Sequence, residues 1–310
     1  MPMLLSYTRA SPRLQHYVTS VSESLETLCT VPLGEIQKAL PNVRSLTVRG
    51  QPRPKYAIPV QPHMTQIQNL ELTGMRADSL LPSLVHFTSI EHLRLVQPHG
   101  YSFGYTPLIS ATKRISVQKV SFDDLGLGAR DSFLVLQGLL DPNALRSVSV
   151  HHRDDACAWY HGDAVLEGLD SFLGSLGQEV RSLSLDVAHF RRGDRTLPAL
   201  KCCTNLESLT LTMPQTPAIS PSALATVCAS VVSDVSTSLR RLRLVFTPPT
   251  FDDWPAADKP CALTAALSRC SRLETITFVG TCEGGSVKGA RVRMQELVPE
   301  HLVPRLEIVL

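Results

Sequence analysis

One short segment, HHRDDACAWYHGD (151–163), holds enough types of metal-binding side chain to form a metal site. It contains histidines and aspartates, whose imidazole and carboxylate groups are common zinc ligands. Their spacing matches no known ligand motif, so we expect no bound metal. A hydrolase or metal-dependent enzyme with its site in this segment remains the alternative to a non-enzymatic function.

Other patterns associated with catalysis are incomplete. The glycine-containing segments 125–132 and 282–291 do not complete a phosphate-binding loop after a strand. The basic segment KGARVR (288–293) is typical of a solvated loop. The adjacent Cys202 and Cys203 favour one buried and one half-buried thiol over a redox pair, because neighbouring cysteines close a strained ring. We therefore expect no cofactor and no catalytic residues.

The composition excludes several classes of partner. The 310 residues include 30 basic and 28 acidic side chains, a formal net charge of +2, which gives no argument for nucleic acid or an anionic membrane. No apolar run reaches the roughly 18 residues of a membrane span, and no secretory signal is recognisable. The eight cysteines form no disulfide framework. We expect an intracellular protein, cytoplasmic or nuclear.

A six-residue phrase, apolar-x-x-apolar-x-apolar, recurs ten times at intervals of 23 to 35 residues. Its closing alternation predicts a short strand with one buried face. Segments between the strands have helical spacing of apolar residues: ADSLLPSLVHFTS, DSFLVLQGLLDP, DAVLEGLDSFLGSL, SPSALATVCASVVSDV and ALTAALSRC. The phrases begin at Val43, Ile67, Ile90, Val117, Leu145, Val180, Leu206, Leu239, Leu273 and Val303.

One strand and one helix per interval is the unit of a leucine-rich repeat. A single unit cannot bury its apolar faces, whereas stacked units can. The sequence therefore predicts an α/β fold over residues 41–310. We expect a right-handed leucine-rich-repeat solenoid, or horseshoe, of about ten repeats, with a parallel β-sheet on the concave face and helices on the convex face.

The segments NLESLTL, SLRRLRL, RLETITF, IQNLELT and IEHLRLV resemble the strands of leucine-rich-repeat proteins. The long intervals, and the cysteines ahead of two strands (Cys202, Cys203 and Cys270), resemble the repeats of F-box/leucine-rich-repeat proteins, including large fungal families. This resemblance implies a substrate-recognition component of a ubiquitin ligase, with an SCF-type ligase adaptor among its partners.

Residues 1–40 precede the repeats, and we expect them to form an N-terminal helical cap. Within them, LLSYTRASPRLQHYV (4–18) resembles the last helix of an F-box. The complete F-box is not recognisable. Two interpretations stay open for this segment, a capping helix for the first repeat and the remnant of an F-box.

A protein partner is expected on the concave face or on the rim of loops that follow the strands. On the concave face, the middle strands carry small hydroxyl side chains and the outer ones carry arginines. Aromatic side chains, including both tryptophans, concentrate in the loops. The predicted partner-binding residues are Arg94, Ser147, Ser149, Ser182, Ser184, Ser208, Thr210, Arg241 and Arg243 on the face, and Trp159, Tyr160 and Trp254 on the rim.

Overall fold

The computed structural model of the chain describes a set of segments separated by gaps. These are residues 13, 17–24, 40, 42–50, 66–77, 80, 84, 87–98, 114–125, 129–151, 162–186, 197–213, 221–235, 237–246, 262–280 and 287–309.

Eleven strands among the described residues form one sheet, in which the strand order follows the sequence order. The pairings between neighbouring strands are parallel. The predicted α/β fold with a parallel sheet is confirmed. The strands are β1 (Ser20–Ser24), β2 (Ser45–Arg49), β3 (Gln66–Thr73), β4 (Ser89–Val96), β5 (Ser116–Asp123), β6 (Ser147–His151), β7 (Ser182–Asp186), β8 (Ser208–Met213), β9 (Arg241–Phe246), β10 (Thr275–Val279) and β11 (Leu306–Val309).

Each of the ten phrases overlaps one of strands β2 to β11, and in most of them the first apolar residue lies just before the strand. The three apolar residues of each phrase are buried for β2 to β10. They are half-buried for β11, which pairs with β10 alone among the described strands. The eleventh strand, β1, lies inside the segment expected to be a helical cap. Among the residues of SVSES whose burial is described, only Val21 is buried. The six-residue phrase is therefore absent from this strand, which was not predicted from the sequence. This segment has a low intrinsic tendency to form a strand, and it becomes one because it pairs with β2, where Ser20 lies beside Ser45.

Five helices lie among the described residues: α1 (Ala129–Leu139), α2 (Gly162–Leu176), α3 (Pro221–Val235), α4 (Ala262–Ser268) and α5 (Val287–Glu296). The first four confirm predicted helices. The segment KGARVR was expected to be a loop and instead lies in α5, which buries Met294 just beyond it. The remaining predicted helix (77–89) falls mostly outside the described residues. None of the described helices combines the length and hydropathy needed to cross a bilayer.

The chain divides into two compact units. The first comprises Met1–Arg146 and Glu167–Phe172, and the second comprises Ser147–Leu166 and Leu173–Leu310. In the first unit, the rings of Phe122 and Phe133 lie with centroids 4.3 Å apart, and Phe172 lies 5.6 Å from Phe133. All three side chains are fully buried. This aromatic cluster joins β5, α1 and a short part of α2.

Backbone hydrogen bonds near the start of several strands set their register. In the first unit, the Arg44 carbonyl accepts the N–H groups of both Gln68 and Asn69. In the second unit, the carbonyls of Arg181, Glu207 and Arg240 each accept two successive N–H groups at the start of the following strand in the same way. Because the same connection repeats, equivalent side chains of neighbouring strands lie side by side.

A left-handed residue follows each of strands β2 to β5. The four are Gly50, Gly74, Gln97 and Asp124, all with positive φ. The N–H groups of Gly50, Gly74 and Gln97 donate to the carbonyl of the residue that ends the next strand. This turn therefore links neighbouring strands through the backbone, without the asparagine that follows the strand in many leucine-rich repeats.

Replacing Gly168 by alanine tests the close approach of α2 to α1. A Cβ there would lie 2.8 Å from the ring of Phe133 and 2.9 Å from the Cα of Arg130. The backbone atom cannot move aside without shifting α1, so we expect Gly168→Ala to lower the free energy of unfolding by about 1–3 kcal/mol. Urea denaturation followed by circular dichroism measures the change.

Gly174→Ala is the matched control on the same helix. Its Cβ would make only an ordinary contact, 3.8 Å from the Cβ of Ala199. Alanine is the better helix former by about 1 kcal/mol, so this variant should be as stable as the parent or more stable. Equal losses from the two substitutions would contradict the close packing at Gly168.

Candidate functional site: the open face of the sheet

Side chains between the buried positions of each strand lie on the other side of the sheet, which we call the open face. Because the strands pair in register, these side chains form rows that cross the strands. In the first unit the rows on β2 to β5 are Ser45, Asn69, His92, Lys119; then Thr47, Glu71, Arg94, Ser121; then Arg49, Thr73, Val96, Asp123. In the second unit the rows on β7 to β10 are Ser182, Ser208, Arg241, Thr275; then Ser184, Thr210, Arg243, Thr277; then Asp186, Thr212, Val245, Val279.

Arg94 is held between two carboxylates in the first unit. Its Nη1 donates to Glu71 Oε2 at 2.9 Å on β3, and its Nε donates to Asp123 Oδ2 at 2.5 Å on β5. The hydrogen bond to Asp123 raises the pKa of the guanidinium above its usual value. Arg94 was predicted to bind a partner, and its charge is already balanced by these two neighbours.

His92 and Ser121 form a second polar contact in the first unit. Nε2 of His92 lies 2.8 Å from Oγ of Ser121. Burial lowers the pKa of His92, and the nearby charges of Lys119 and Arg94 lower it further. A histidine beside a serine could activate a nucleophile, but Ser121 is only 6% exposed. This pair therefore packs the face and offers no accessible reactive hydroxyl.

The second unit places two exposed arginines, Arg241 and Arg243, on the open face of β9. The side chain of neither forms a hydrogen bond or an ion pair with another residue that the structure describes. Arg240, their neighbour in sequence, is different, because its Nη1 lies 3.2 Å from Oε1 of Glu274, the residue just before β10. Two of these three arginines thus remain available to a ligand.

Hydroxyl groups flank both available arginines. Ser208 pairs beside Arg241 from β8, and Thr275 does so from β10. In the next row Thr210 and Thr277 stand on either side of Arg243, again from β8 and β10. The hydroxyl of Thr277 donates to Oε2 of Glu307 at 3.2 Å. Short hydroxyl side chains leave the longer guanidinium groups free to extend from the face.

In the second unit, the predicted face residues lie at open-face positions of β6 to β9 and differ in exposure. Ser147, Ser182, Ser184, Ser208 and Thr210 are half-buried, whereas Ser149 is only 8% exposed. The predicted rim residues Trp159, Tyr160 and Trp254 lie outside the described residues, as does nearly all of the segment 151–163.

The carboxylates around Arg94 were not among the predicted site residues. Aligning the phrase of β3 with that of β4 places Glu71 beside Arg94, so the contact between these two residues could have been predicted from the repeat. Asp123 lies one row further on β5 and depends on the side-chain conformation of Arg94.

Other features of the described residues offer little chemistry. A shallow cavity of about 360 Å³ lies where β3 to β5 begin, and polar residues such as Arg44, Gln68 and Glu91 line it beside Ile67 and Ile90. No group of three or more histidines, cysteines, aspartates or glutamates within the described segments could hold a metal ion.

Two cysteines occupy the same position ahead of a strand, three residues before the phrase. The thiols of Cys203 and Cys270 are buried and donate to the carbonyls of Ala199 and Ala266, at 3.9 and 3.5 Å. Burial raises the pKa of Cys203 to about 12 and that of Cys270 to about 11. Both are therefore protonated packing groups. Of the adjacent pair expected to have one buried and one half-buried thiol, Cys203 is buried and Cys202 is exposed.

The raised pKa values predict how stability depends on alkaline pH. Each thiol is protonated in the folded state up to a higher pH than in the unfolded chain, where cysteine ionises near pH 8.5. Their stabilisation is therefore complete below about pH 8.5 and is lost as the pH rises toward 11–12. We expect Cys203→Ala/Cys270→Ala to reduce the slope of unfolding free energy against pH above 8.5, measured by urea denaturation with a reductant.

Cys202→Ala serves as the control, because that side chain is exposed. In this variant, the slope of the unfolding free energy against pH above 8.5 should be the same as in the parent chain. A double variant whose free energy falls as steeply as that of the parent would show that the buried thiols do not titrate in this way.

Neither models of known protein families nor curated proteins give a match to this chain. The functional argument therefore depends on the residues of the open face.

Proposed function

We propose that this chain is a non-enzymatic protein-interaction scaffold of the leucine-rich-repeat type, and that its open face binds a polypeptide partner. One observation carries the proposal. Within each unit, the parallel strands bury one set of side chains and leave most of the other set, in ordered rows, at least partly accessible to solvent.

The spacing of these rows suits an extended polypeptide. Along a strand, open-face side chains recur about every 6.6 Å, and neighbouring strands are about 4.8 Å apart. In the second unit most of the side chains are serine or threonine, which allow a partner backbone to approach and can donate or accept hydrogen bonds. Exposed arginines at the same face supply the kind of side chain that contributes strongly to protein interfaces.

Repetition supports the assignment to leucine-rich repeats. Strands β2 to β11 arise from successive phrases, and each strand pairs with its sequence neighbours. A carbonyl that accepts two N–H groups recurs in both units. We propose that the chain continues this pattern as a right-handed solenoid with the open face on its concave side.

The resemblance to F-box/leucine-rich-repeat proteins extends the proposal to a ubiquitin ligase. In this role the open face selects a substrate, and residues 1–40 contact an SCF-type adaptor. Only residues 13, 17–24 and 40 of that segment are described, so this part of the proposal is supported by sequence resemblance and by the recognition surface.

Photo-crosslinking tests the open face directly. The photoreactive amino acid p-benzoylphenylalanine is placed at Ser182 or Thr210 on the face, and at the exposed Thr204 or Ser271 in the turns before β8 and β10 as controls. We expect one common polypeptide to crosslink from both face positions and from neither control, because only the face is proposed to contact the partner. Mass spectrometry identifies it, and the purified partner must then bind the purified chain.

Equal crosslinking from all four positions, or no polypeptide adduct from the face, would contradict the proposal. Thermal unfolding of each labelled chain checks that the substitutions leave the fold intact.

The ligase role has its own test. We expect the purified full chain and a purified SCF-type adaptor to form a complex on size-exclusion chromatography with light scattering. Arg241→Glu should retain this complex, because the adaptor is proposed to contact residues 1–40. Absence of a complex would refute the ligase role and leave the scaffold function standing.

A further inference from the structure

The positive charge of β9 is not balanced by its neighbours on the open face. Arg241 and Arg243 are exposed, and the open-face residues of β8 and β10 are serine, threonine and valine. The nearest carboxylate in their rows belongs to Glu307, two strands away on β11, where it accepts a hydrogen bond from Thr277. This strand therefore presents two cationic groups without an internal counter-charge among the described residues.

The contrast with Arg94 shows that the fold can balance such a charge. Arg94 stands at the same row of the first unit as Arg243 does in the second, and the strands on both sides of Arg94 supply a carboxylate. The strands beside Arg243 supply threonines at the matching positions. An anionic partner would complete at β9 the arrangement that Glu71 and Asp123 provide at β4.

An apolar position follows the two arginines on the same strand. Val245 is half-buried on the open face and pairs beside the half-buried Val279 of β10. Along β9 the open face therefore presents Arg241, Arg243 and Val245 in that order, with about 6.6 Å between successive side chains. An extended polypeptide has the same spacing between every second side chain.

We propose that the open face of β8 to β10 binds an extended acidic segment of a protein partner. Two carboxylates two residues apart contact Arg241 and Arg243, and an apolar side chain two residues beyond them contacts Val245 and Val279. This inference rests on the proposed scaffold function and specifies the chemistry of its partner.

A protein segment fits this surface better than a nucleic acid does. Binding a phosphate backbone relies on many cationic contacts. The open face of β8 to β10 offers two, and the formal net charge of the whole chain is +2. The two guanidinium groups can instead form paired hydrogen bonds with individual carboxylates, and the flanking hydroxyls can bond to the peptide backbone. The valine pair adds a contact that favours an apolar side chain.

Fluorescence anisotropy of defined peptides tests the proposal. The probes are fluorescein-labelled peptides containing Glu-Ser-Glu-Ser-Leu or the reverse order, and the control peptides carry glutamine in place of glutamate. We expect at least one acidic probe to bind the full chain and its glutamine control to bind at least about tenfold more weakly, since each charge-assisted contact contributes about a factor of ten. Binding should weaken between about 50 and 200 mM NaCl, as the counter-ions screen the contact.

Charge reversal locates the site. Arg241→Glu/Arg243→Glu should reduce the affinity at least about tenfold. The matched control is Arg269→Glu/Arg272→Glu, which removes two exposed arginines in the connection before β10 and changes the net charge equally. It should bind like the parent chain. If the reversed variant loses its fold by circular dichroism, Arg241→Gln/Arg243→Gln replaces it with the same expectation.

Several outcomes would overturn the inference. These are equal binding of the glutamine peptides, equal loss from the two double variants, and binding of a labelled oligouridine as tight as that of the acidic probe. Photo-crosslinking from Ser182 tests the scaffold function independently of the peptide-binding assay. A partner captured there, together with no binding of the acidic probes, refutes the acidic segment and leaves the scaffold standing.

Discussion

Register between successive parallel strands is the constraint on which the rest of this structure depends. A carbonyl ahead of one strand accepts two N–H groups from the next, as at Arg44 in the first unit and Glu207 in the second. In the first unit, the turn after the strand links neighbours again. Because side chains alternate along a strand, a shift by one residue would exchange the buried and open faces. The fixed register therefore determines both the apolar core and the rows of the open face.

The same register produces different surfaces in the two units because different residues fill equivalent positions. In the first unit, Arg94 meets carboxylates on both sides, and its charge is used to join β3, β4 and β5. In the second unit, Arg243 meets threonines on both sides and remains exposed. Ionic contacts between exposed groups contribute little to stability, so this difference matters more for recognition than for folding.

Packing between the repeated elements restricts the residues that can occupy them. Gly168 lets α2 approach α1 beside the cluster of Phe122, Phe133 and Phe172. In the second unit, Gly177 leaves room for the thiol of Cys203, since a Cβ would lie 2.8 Å from that sulfur. The cysteine ahead of a strand is therefore a small apolar filler in this structure, consistent with its raised pKa.

The sequence alone determined the strands that carry the apolar phrase and four of the helices, because the spacing of apolar residues along the chain predicts which positions are buried. It also placed Arg241 and Arg243 on one face, since residues two apart on a strand share a side. Tertiary structure alone decided that SVSES becomes β1, because only pairing with β2 stabilises so polar a strand. It also decided that Arg94 forms ion pairs while the side chains of Arg241 and Arg243 have no partner among the described residues, because that depends on which side chains the neighbouring strands place beside them.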